Sequence, residues 1–329
     1  MDADRRGRLF AAVGDRILIP DRGSRSLEEL IQKHGWDPEI VRRFWRALRL
    51  PVAEESERVA SSGDEATIAA LMELAAFANV DRAVGVARVM ASACERVAEA
   101  TGAAARTSTG DAAVATSDEL VAAQYWERAA SLAVTIAQAM DANFRHQLEL
   151  SRRRFEQTGS YDVMTRRQSR LAVCFVDISG YTALSESMSP EVLSELLDAF
   201  ERIVDAAVEG TDARIVKFIG DAVLVVSPST AQIASVATRL VTTRSWAPPA
   251  NPSLRAGIAY GEVLTQEGDV FGPPVNVAAR LLGVATPGGV VATQAACDQL
   301  DGGWTRRRLP DQALKGVDGP IRVNAIATD

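Results

Sequence analysis

The sequence is poor in the side chains that metal clusters and disulfide frameworks require. Its 329 residues include two histidines and three cysteines. Two histidines exclude a histidine-rich metal site. The cysteines Cys94, Cys174 and Cys297 are far apart and odd in number, so they have neither zinc-site spacing nor a disulfide pattern. We therefore expect a reducing compartment, the cytoplasm.

Long apolar runs and an excess of positive charge are also missing. No apolar segment follows the charged first residues, so no signal peptide is predicted. The uncharged runs 222–238 and 281–297 are interrupted by polar and turn-forming residues, which favours strand–turn–helix over membrane helices. The 36 basic and 43 acidic residues give a net charge of -7, which provides no general attraction to nucleic acid or to an anionic membrane. Neither is expected as a stable partner.

What the sequence does contain changes in kind near its middle. Residues 1–156 are rich in Ala, Glu and Arg with helical periodicity, whereas residues 170–329 alternate short Val and Ile runs with helical stretches and Gly/Pro turns. At about 150 residues per domain, the length also suggests about two domains. We predict an all-helical domain over 1–156, a polar linker over 157–169 and a second domain over 170–329.

The first half is predicted to be helical almost throughout. A helix near 117–155 is long for a globular protein, and a helix of that length often supports a dimer or couples two domains. The stretch 102–116 is expected to be a flexible connection. The other predicted helices are 4–13, 27–34, 37–49, 64–79 and 81–101.

One segment of the first half, 26–49, has the pattern of a helix–turn–helix. Two interpretations of it stay open. The arginines Arg42, Arg43, Arg46 and Arg49 could face DNA phosphates, as in a DNA-binding regulator. Alternatively, the segment is an amphipathic helical pair that packs into a regulatory bundle. We favour packing because the chain is acidic overall.

The second half is predicted to be a ferredoxin-like α+β domain. Its core order is βαββαβ, which is typical of that fold. The predicted strands are 170–178, 212–219, 222–227, 253–260, 262–267, 289–293, 304–309 and 320–327, and the predicted helices are 182–209, 229–243, 273–284 and 294–300.

Three segments of this half carry candidate chemistry. Asp177 ends an apolar strand before a Gly-containing turn, where helix N–H groups attract phosphate and a carboxylate can hold a metal against it. Asp221 lies in a hairpin turn, Lys217-Phe-Ile-Gly-Asp221, beside that strand. Two converging carboxylates repel unless a cation joins them. Asn276 and Arg280, four residues apart, share one face of a helix.

In that order, the three segments resemble the catalytic domain of the class III nucleotidyl cyclases, over about residues 170–328. The resemblance implies that Asp177, Asp221 and the backbone carbonyl of Ile178 bind two Mg²⁺ or Mn²⁺ ions per active site. It implies that Lys217 and Asp269 recognise adenine. It further implies that Asn276 orients the ribose, that Arg280 stabilises the transition state and that Lys315 contacts the terminal phosphates.

The expected activity is that of an adenylyl cyclase, which converts ATP to 3′,5′-cyclic AMP and pyrophosphate at a homodimer interface. The first half resembles the helical N-terminal domains of some actinobacterial class III cyclases, including pH-responsive ones, which implies an inhibitory or sensing role. A small molecule, a lipid or protons are the candidate effectors, and His146 is a candidate titrating group. The alternatives are a guanylyl cyclase and a helix–turn–helix regulator with a nucleotide-binding cyclase-like domain.

Overall fold

The chain forms two compact units, Met1–Leu150 and Ser151–Asp329. The computed structural model describes residues 17–51, 57–115, 119–157, 168–247 and 250–328. The predicted helix at 4–13 and most of the predicted linker lie outside the described residues. Among those described, no helix is both long enough and apolar enough to cross a membrane.

The first unit is a helical domain with one short two-stranded sheet, in which Arg25 pairs with Ala60 and Ser26 with Arg58. The sequence analysis missed this sheet because strands of two and three residues show no periodicity. The described elements are β1 (Arg25–Ser26), α1 (Leu27–His34), α2 (Pro38–Ala47), β2 (Arg58–Ala60), α3 (Ser62–Phe77), α4 (Val80–Ala115) and α5 (Glu119–Gln157), of which the residues from Ser151 onward belong to the second unit.

Local capping fixes where α1 and α2 begin. Ser26 and Glu29 form a capping box at the start of α1, and Gly35 ends that helix in the left-handed region with φ 64°. Asp37 caps α2, and Pro38 occupies its first turn. Each helix then buries one apolar face in a common core, as Phe44 of α2 does.

The prediction that a helix ends at 101 and a flexible connection follows is wrong. Helix α4 continues to Ala115. Two glycines in this stretch each cost about 1 kcal/mol relative to alanine. The surrounding alanines favour a helix strongly enough that α4 continues past both glycines.

The second unit is built on an eight-stranded sheet in the order β4-β5-β3-β6-β8-β10-β9, with β7 paired to β6. The first four strands of that order have the ferredoxin-like arrangement predicted from sequence. The elements are β3 (Gln168–Ile178), α6 (Tyr181–Ser187), α7 (Pro190–Val208), β4 (Arg214–Ile219), β5 (Ala222–Ser227), α8 (Thr230–Thr242), β6 (Leu254–Gln266), β7 (Asp269–Phe271), α9 (Pro273–Leu281), β8 (Val290–Thr293), α10 (Gln294–Cys297), β9 (Trp304–Arg308) and β10 (Val323–Thr328).

Two boundaries in this unit correct the prediction. The expected strands 253–260 and 262–267 form one strand, β6, which passes through Gly261 without a turn. A Cβ at Gly261 would lie 2.9 Å from Pro274 Cγ, so this glycine allows a close approach of α9 rather than a chain reversal. The expected helix 182–209 is divided into α6 and α7, and Ser189 caps α7 with Pro190 in its first turn.

The sheet has two different faces. One face carries Val176, Val223 and Val225 and packs against α7 and α8. The opposite face, which we call the α9 face, carries the apolar cluster that packs against α9: Leu171, Val173, Phe175, Leu224, Val226, Ala259, Val263, Val270 and Ala278. Asp177 shares this face with Phe175 at the end of β3, whereas Asp269 lies on β7, which pairs with the far end of β6.

Candidate active site

Two carboxylates meet at the end of the α9 face. Asp177 lies near the end of β3, directly opposite Ala222 of β5. Asp221 precedes Ala222, in the two-residue turn that joins β4 and β5. The backbone N–H of Ile178 donates to the Asp221 carbonyl at 3.2 Å, which holds this turn against the end of β3.

The pKa of Asp221 reflects how close its carboxylate lies to that of Asp177. Asp177 is buried. Burial, a hydrogen bond with Asp177 and the negative charge of Asp177 together raise the pKa of Asp221 to about 6. Neighbouring carboxylates behave in this way when one of them retains a proton. A divalent cation would remove the repulsion by neutralising both.

Arg255 is a third member of this cluster, and the sequence analysis missed it. It lies on β6 directly opposite Asp177. Its Nε and Nη2 donate to Asp177 Oδ2 at 2.9 and 2.7 Å. A signal was available, since Arg255 is the one charged residue in an otherwise apolar strand segment, Leu254-Arg-Ala-Gly-Ile258.

The donor set suits a hard cation. Asp177, Asp221 and neighbouring backbone carbonyls such as that of Ile178 offer oxygen ligands, which Mg²⁺ and Mn²⁺ prefer. Across the described ranges, no group of three or more His, Cys, Asp and Glu residues comes together. The protein ligands at this edge are therefore few, as suits Mg²⁺, which keeps several waters and binds through one or two carboxylates plus substrate phosphates.

A β-bulge in β4 brings Lys217 to the same face. Ile215 pairs with Val225 and Lys217 with Leu224, so Val216 is an extra residue in the ladder. Residues paired across an antiparallel ladder lie on the same face. Lys217 therefore shares the α9 face with Leu224. In an unbroken register it would pair with Val223 and lie under α7 and α8.

Lys217 forms an ion pair with Asp269, the first residue of β7. The second oxygen of the carboxylate, Asp269 Oδ1, accepts a hydrogen bond from the N–H of Val270 at 2.8 Å. The structure therefore joins the two residues that were predicted from sequence to act as a pair. The side chain of Lys217 remains 42% exposed in this pair.

Helix α9 carries two further predicted residues, Asn276 and Arg280. It packs closely on β6, because a Cβ at Gly257 would collide with the Ala278 carbonyl oxygen and lie 2.8 Å from Leu281 Cβ. Asn276 is exposed one turn before Arg280. A Cβ at Gly316 would lie 3.4 Å from Arg280 Nη2, so the turn that contains Lys315 is adjacent to the Arg280 guanidinium.

Two of the four arginines of the helix–turn–helix segment form ion pairs with acidic side chains of the first unit. Arg43 Nη2 contacts Asp81 Oδ1 at 2.6 Å, and Arg49 forms an ion pair with Glu95. Both partners lie on α4, against which α2 packs. These contacts favour the packing interpretation over DNA binding. His146 is exposed on α5, whereas His34 contacts Glu65 at 2.6 Å.

Comparisons with known proteins identify the family of the catalytic unit. Residues 163–324 match the family described as Adenylate and Guanylate cyclase catalytic domain. An uncharacterized protein of Mycobacterium tuberculosis is 35% identical over 322 residues, which cover 98% of this chain and 84% of the relative. A protein named pH-sensitive adenylate cyclase, also from Mycobacterium tuberculosis, is 29% identical over 328 residues, which cover 94% of this chain and 79% of the relative. An adenylate cyclase of Streptomyces coelicolor is 40% identical over 157 residues, which cover 48% of this chain and 40% of the relative.

The chain belongs to the adenylate and guanylate cyclase family, the class III nucleotidyl cyclases. The family resemblance and the α+β fold class predicted from the sequence are both confirmed.

Proposed function

We propose that this cyclase uses ATP and forms 3′,5′-cyclic AMP and pyrophosphate. The observation that carries the proposal is the ion pair of Lys217 with Asp269 on the α9 face. A lysine can donate to a ring nitrogen of adenine, and an aspartate can accept from the exocyclic amine. Guanine presents an oxygen and an N–H at those places and meets mismatched partners. A site that hydrogen-bonds its substrate can reject a mismatched analogue by about 10⁴.

The other side chains then have separate roles. Asp177, Asp221 and the carbonyl of Ile178 would hold two Mg²⁺ or Mn²⁺ ions. When bound, such ions lower the pKa of the ribose 3′-hydroxyl and neutralise phosphate charge. Asn276 orients the ribose by hydrogen bonding. Arg280 stabilises the charge that develops on the transferring phosphoryl group, and Lys315 contacts the terminal phosphates. Catalysis consists mainly of positioning and charge stabilisation.

We infer that the active unit is a homodimer. Lys217 and Asp221 flank one hairpin turn, and four residues span at most about 13 Å even when extended. The purine and the triphosphate lie at opposite ends of ATP, so one copy of the turn hardly reaches both. One chain would supply Asp177 and Asp221, and the other would supply Lys217, Asp269, Asn276 and Arg280. Exposed apolar side chains near this region, Ile219 at 47% and Phe271 at 48%, support burial against a second copy.

We also propose that residues 1–156 regulate the catalytic unit, with protons, a lipid or a small molecule as effector. Two observations support this. The first unit has its own apolar core and is a separate compact body. The similarity to the relative named pH-sensitive adenylate cyclase extends over 94% of this chain, well beyond the catalytic unit.

A product assay tests the choice of base. The full-length protein would be supplied with ATP or GTP in Mn²⁺, and both cyclic nucleotides would be quantified. We expect cyclic AMP to form with a kcat/KM at least about tenfold higher than that for cyclic GMP. Lys217→Glu combined with Asp269→Cys should reduce this ratio. Predominant cyclic GMP formation by the wild-type protein would contradict the proposal and favour a guanylyl cyclase.

A further inference from the structure

The hairpin that carries Asp269 has a tight, two-residue tip. β6 and β7 are joined by Glu267 and Gly268, and the last pair before this loop is Gln266 with Asp269. Both loop residues are left-handed, with φ 55° and 81°. A two-residue loop of this kind matches the twist of the flanking strands. Any displacement of the tip therefore displaces Asp269, which follows it directly.

This hairpin also reaches across the sheet. β6 is separated from β4 by β3 and β5, so the two strands are three inter-strand spacings apart. At about 4.8 Å per spacing, that is roughly 14 Å. Nevertheless, Arg214 Nη1 on β4 donates to the Gly268 carbonyl at 2.9 Å, and Lys217 on the same strand pairs with Asp269. The tip therefore arches over the α9 face to meet β4.

Arg214 and Lys217 lie on the same face because of the bulge at Val216. Arg214 pairs with Val226, and Lys217 pairs with Leu224. Both partners belong to the apolar cluster of the α9 face. β4 thus presents two cationic side chains to one hairpin. One of them binds the backbone of its tip, and the other binds the carboxylate that follows.

We propose that Arg214 is a positioning residue for base recognition, an inference that rests on the proposed function. It acts through the Gly268 carbonyl and fixes the distance between Asp269 and Lys217. The orientation of the carboxylate is set within β7 by the Val270 N–H. Its position relative to β4 depends on the tie from Arg214 to the tip. A guanidinium suits this role because its hydrogen bonds are charge-assisted and its donor geometry is rigid.

The positioning role of Arg214 predicts that its loss affects the stability of the fold and the selectivity for purines to different extents. A single exposed hydrogen bond contributes little to the stability of the fold. Misplacing a recognition group by about 1 Å, in contrast, can cost a hundredfold in catalytic efficiency. Loss of Arg214 should therefore affect discrimination between purines more than it affects folding.

The test compares Arg214→Met with a matched control, Arg239→Met. Arg239 Nη1 also donates to a backbone carbonyl, that of Ala207, at 3.0 Å. It lies on α8, on the opposite face of the sheet. Methionine keeps an aliphatic stem, and Arg214→Ala provides a second variant. Steady-state kinetics with ATP and with GTP would be measured for the full-length proteins, together with their melting temperatures.

For Arg214→Met we expect the KM for the preferred purine nucleotide to rise about five- to tenfold with kcat little changed, as for lost uniform binding. The ratio of kcat/KM for the two purines should fall about tenfold. Arg239→Met should keep the wild-type ratio at a similar melting temperature. A ratio within twofold of wild type in folded Arg214→Met, or an equal fall in Arg239→Met, would overturn the inference.

The proposed use of ATP and the positioning role of Arg214 can be refuted independently. A wild-type preference for GTP would refute the proposed function, yet a loss of that preference in Arg214→Met would still support the positioning role. A wild-type preference for ATP that survives in Arg214→Met would refute the positioning role and leave the proposed function intact.

Discussion

Arg255 and Asp177 lie directly opposite each other on neighbouring antiparallel strands, and two N–H groups of the guanidinium donate to one oxygen of the carboxylate. The proposed metal ligand therefore already has a cationic partner from its own chain. A permanent positive charge at this edge favours phosphate, and it also competes with a metal ion for Asp177.

Replacing Arg255 should have opposite effects on phosphate chemistry and on metal binding. We expect Arg255→Met to lower kcat/KM for ATP by about 10²-fold, the scale for loss of a group that stabilises developing charge. Removal of the competing cation should lower the Mn²⁺ concentration needed for half-maximal thermal stabilisation. Kinetics and melting curves over a Mn²⁺ series would measure both. Arg255→Lys should have an intermediate turnover. Unchanged turnover in Arg255→Met would contradict a role for Arg255 in phosphate chemistry.

Asp221→Asn should separate stability from activity. The substitution removes the repulsion with Asp177, so the metal-free variant should melt no lower than the wild-type protein. Mn²⁺ should raise the melting temperature of the wild-type protein but not that of Asp221→Asn, and the variant should have no cyclase turnover. Asp205→Asn, an exposed change on α7, should retain the Mn²⁺ effect. An undiminished metal shift in Asp221→Asn would remove this residue from the metal site.

Gly257→Ala should displace α9 from the sheet. The added Cβ would meet the Ala278 carbonyl and lie 2.8 Å from Leu281 Cβ. Overpacking of this kind costs about 1–3 kcal/mol. Since α9 carries Asn276 and Arg280, turnover should fall further than stability alone explains. Gly302→Ala is the control, because nothing lies within 4 Å of the position of its Cβ. Equal turnover in the two variants would argue against this packing constraint.

Glu65 should make the first unit sensitive to acid. Hydrogen bonds from Lys33 and then His34 lower the pKa of Glu65 to about 2 against the effect of burial. A carboxylate whose pKa is lowered on folding stabilises the fold above its unfolded pKa of 4.5, and this contribution is lost as the pH falls toward 2. Glu65→Gln should therefore have a lower melting temperature than the wild-type protein at pH 7. The difference in melting temperature should narrow as the pH falls from 4.5 toward 2. Glu73→Gln, an exposed change on the same helix, should have little effect at any pH.

Deleting residues 1–156 should raise cyclase turnover, because the first half is proposed to restrain the catalytic unit. The measurement is turnover of the whole protein and of residues 157–329 across a pH series. The two profiles should differ in height and, if protons are the effector, in shape. Equal rates at every pH would refute the regulatory role.

The sequence predicted which candidate residues lie at strand ends and in turns better than it predicted their contacts. Asp177 and Asp221 were predictable because a strand end and a tight turn are local features. Arg255 and Arg214 were missed because their partners lie 78 and 54 residues away in the chain. The bulge at Val216 was also unpredictable, since a valine fits a regular strand equally well and the register shift depends on both faces of the sheet.

Prediction of the fold was limited in the same way, because local patterns do not show contacts between distant parts of the chain. The order of strands and helices in the second unit followed from alternating patterns and turn residues. Separate strands were predicted on either side of Gly261 because a glycine between two apolar runs is ambiguous. Only the approach of Pro274 in three dimensions distinguishes a chain reversal from a close contact.

The extra residue in β4 means that the register of the strand, rather than side-chain chemistry alone, decides which face of the sheet holds the lysine proposed to select the purine. If Val216 occupied a place in the ladder, the ammonium group would turn toward the helices on the far side without altering its identity. A family member with the same residues in a regular strand would keep the motif and lose its use.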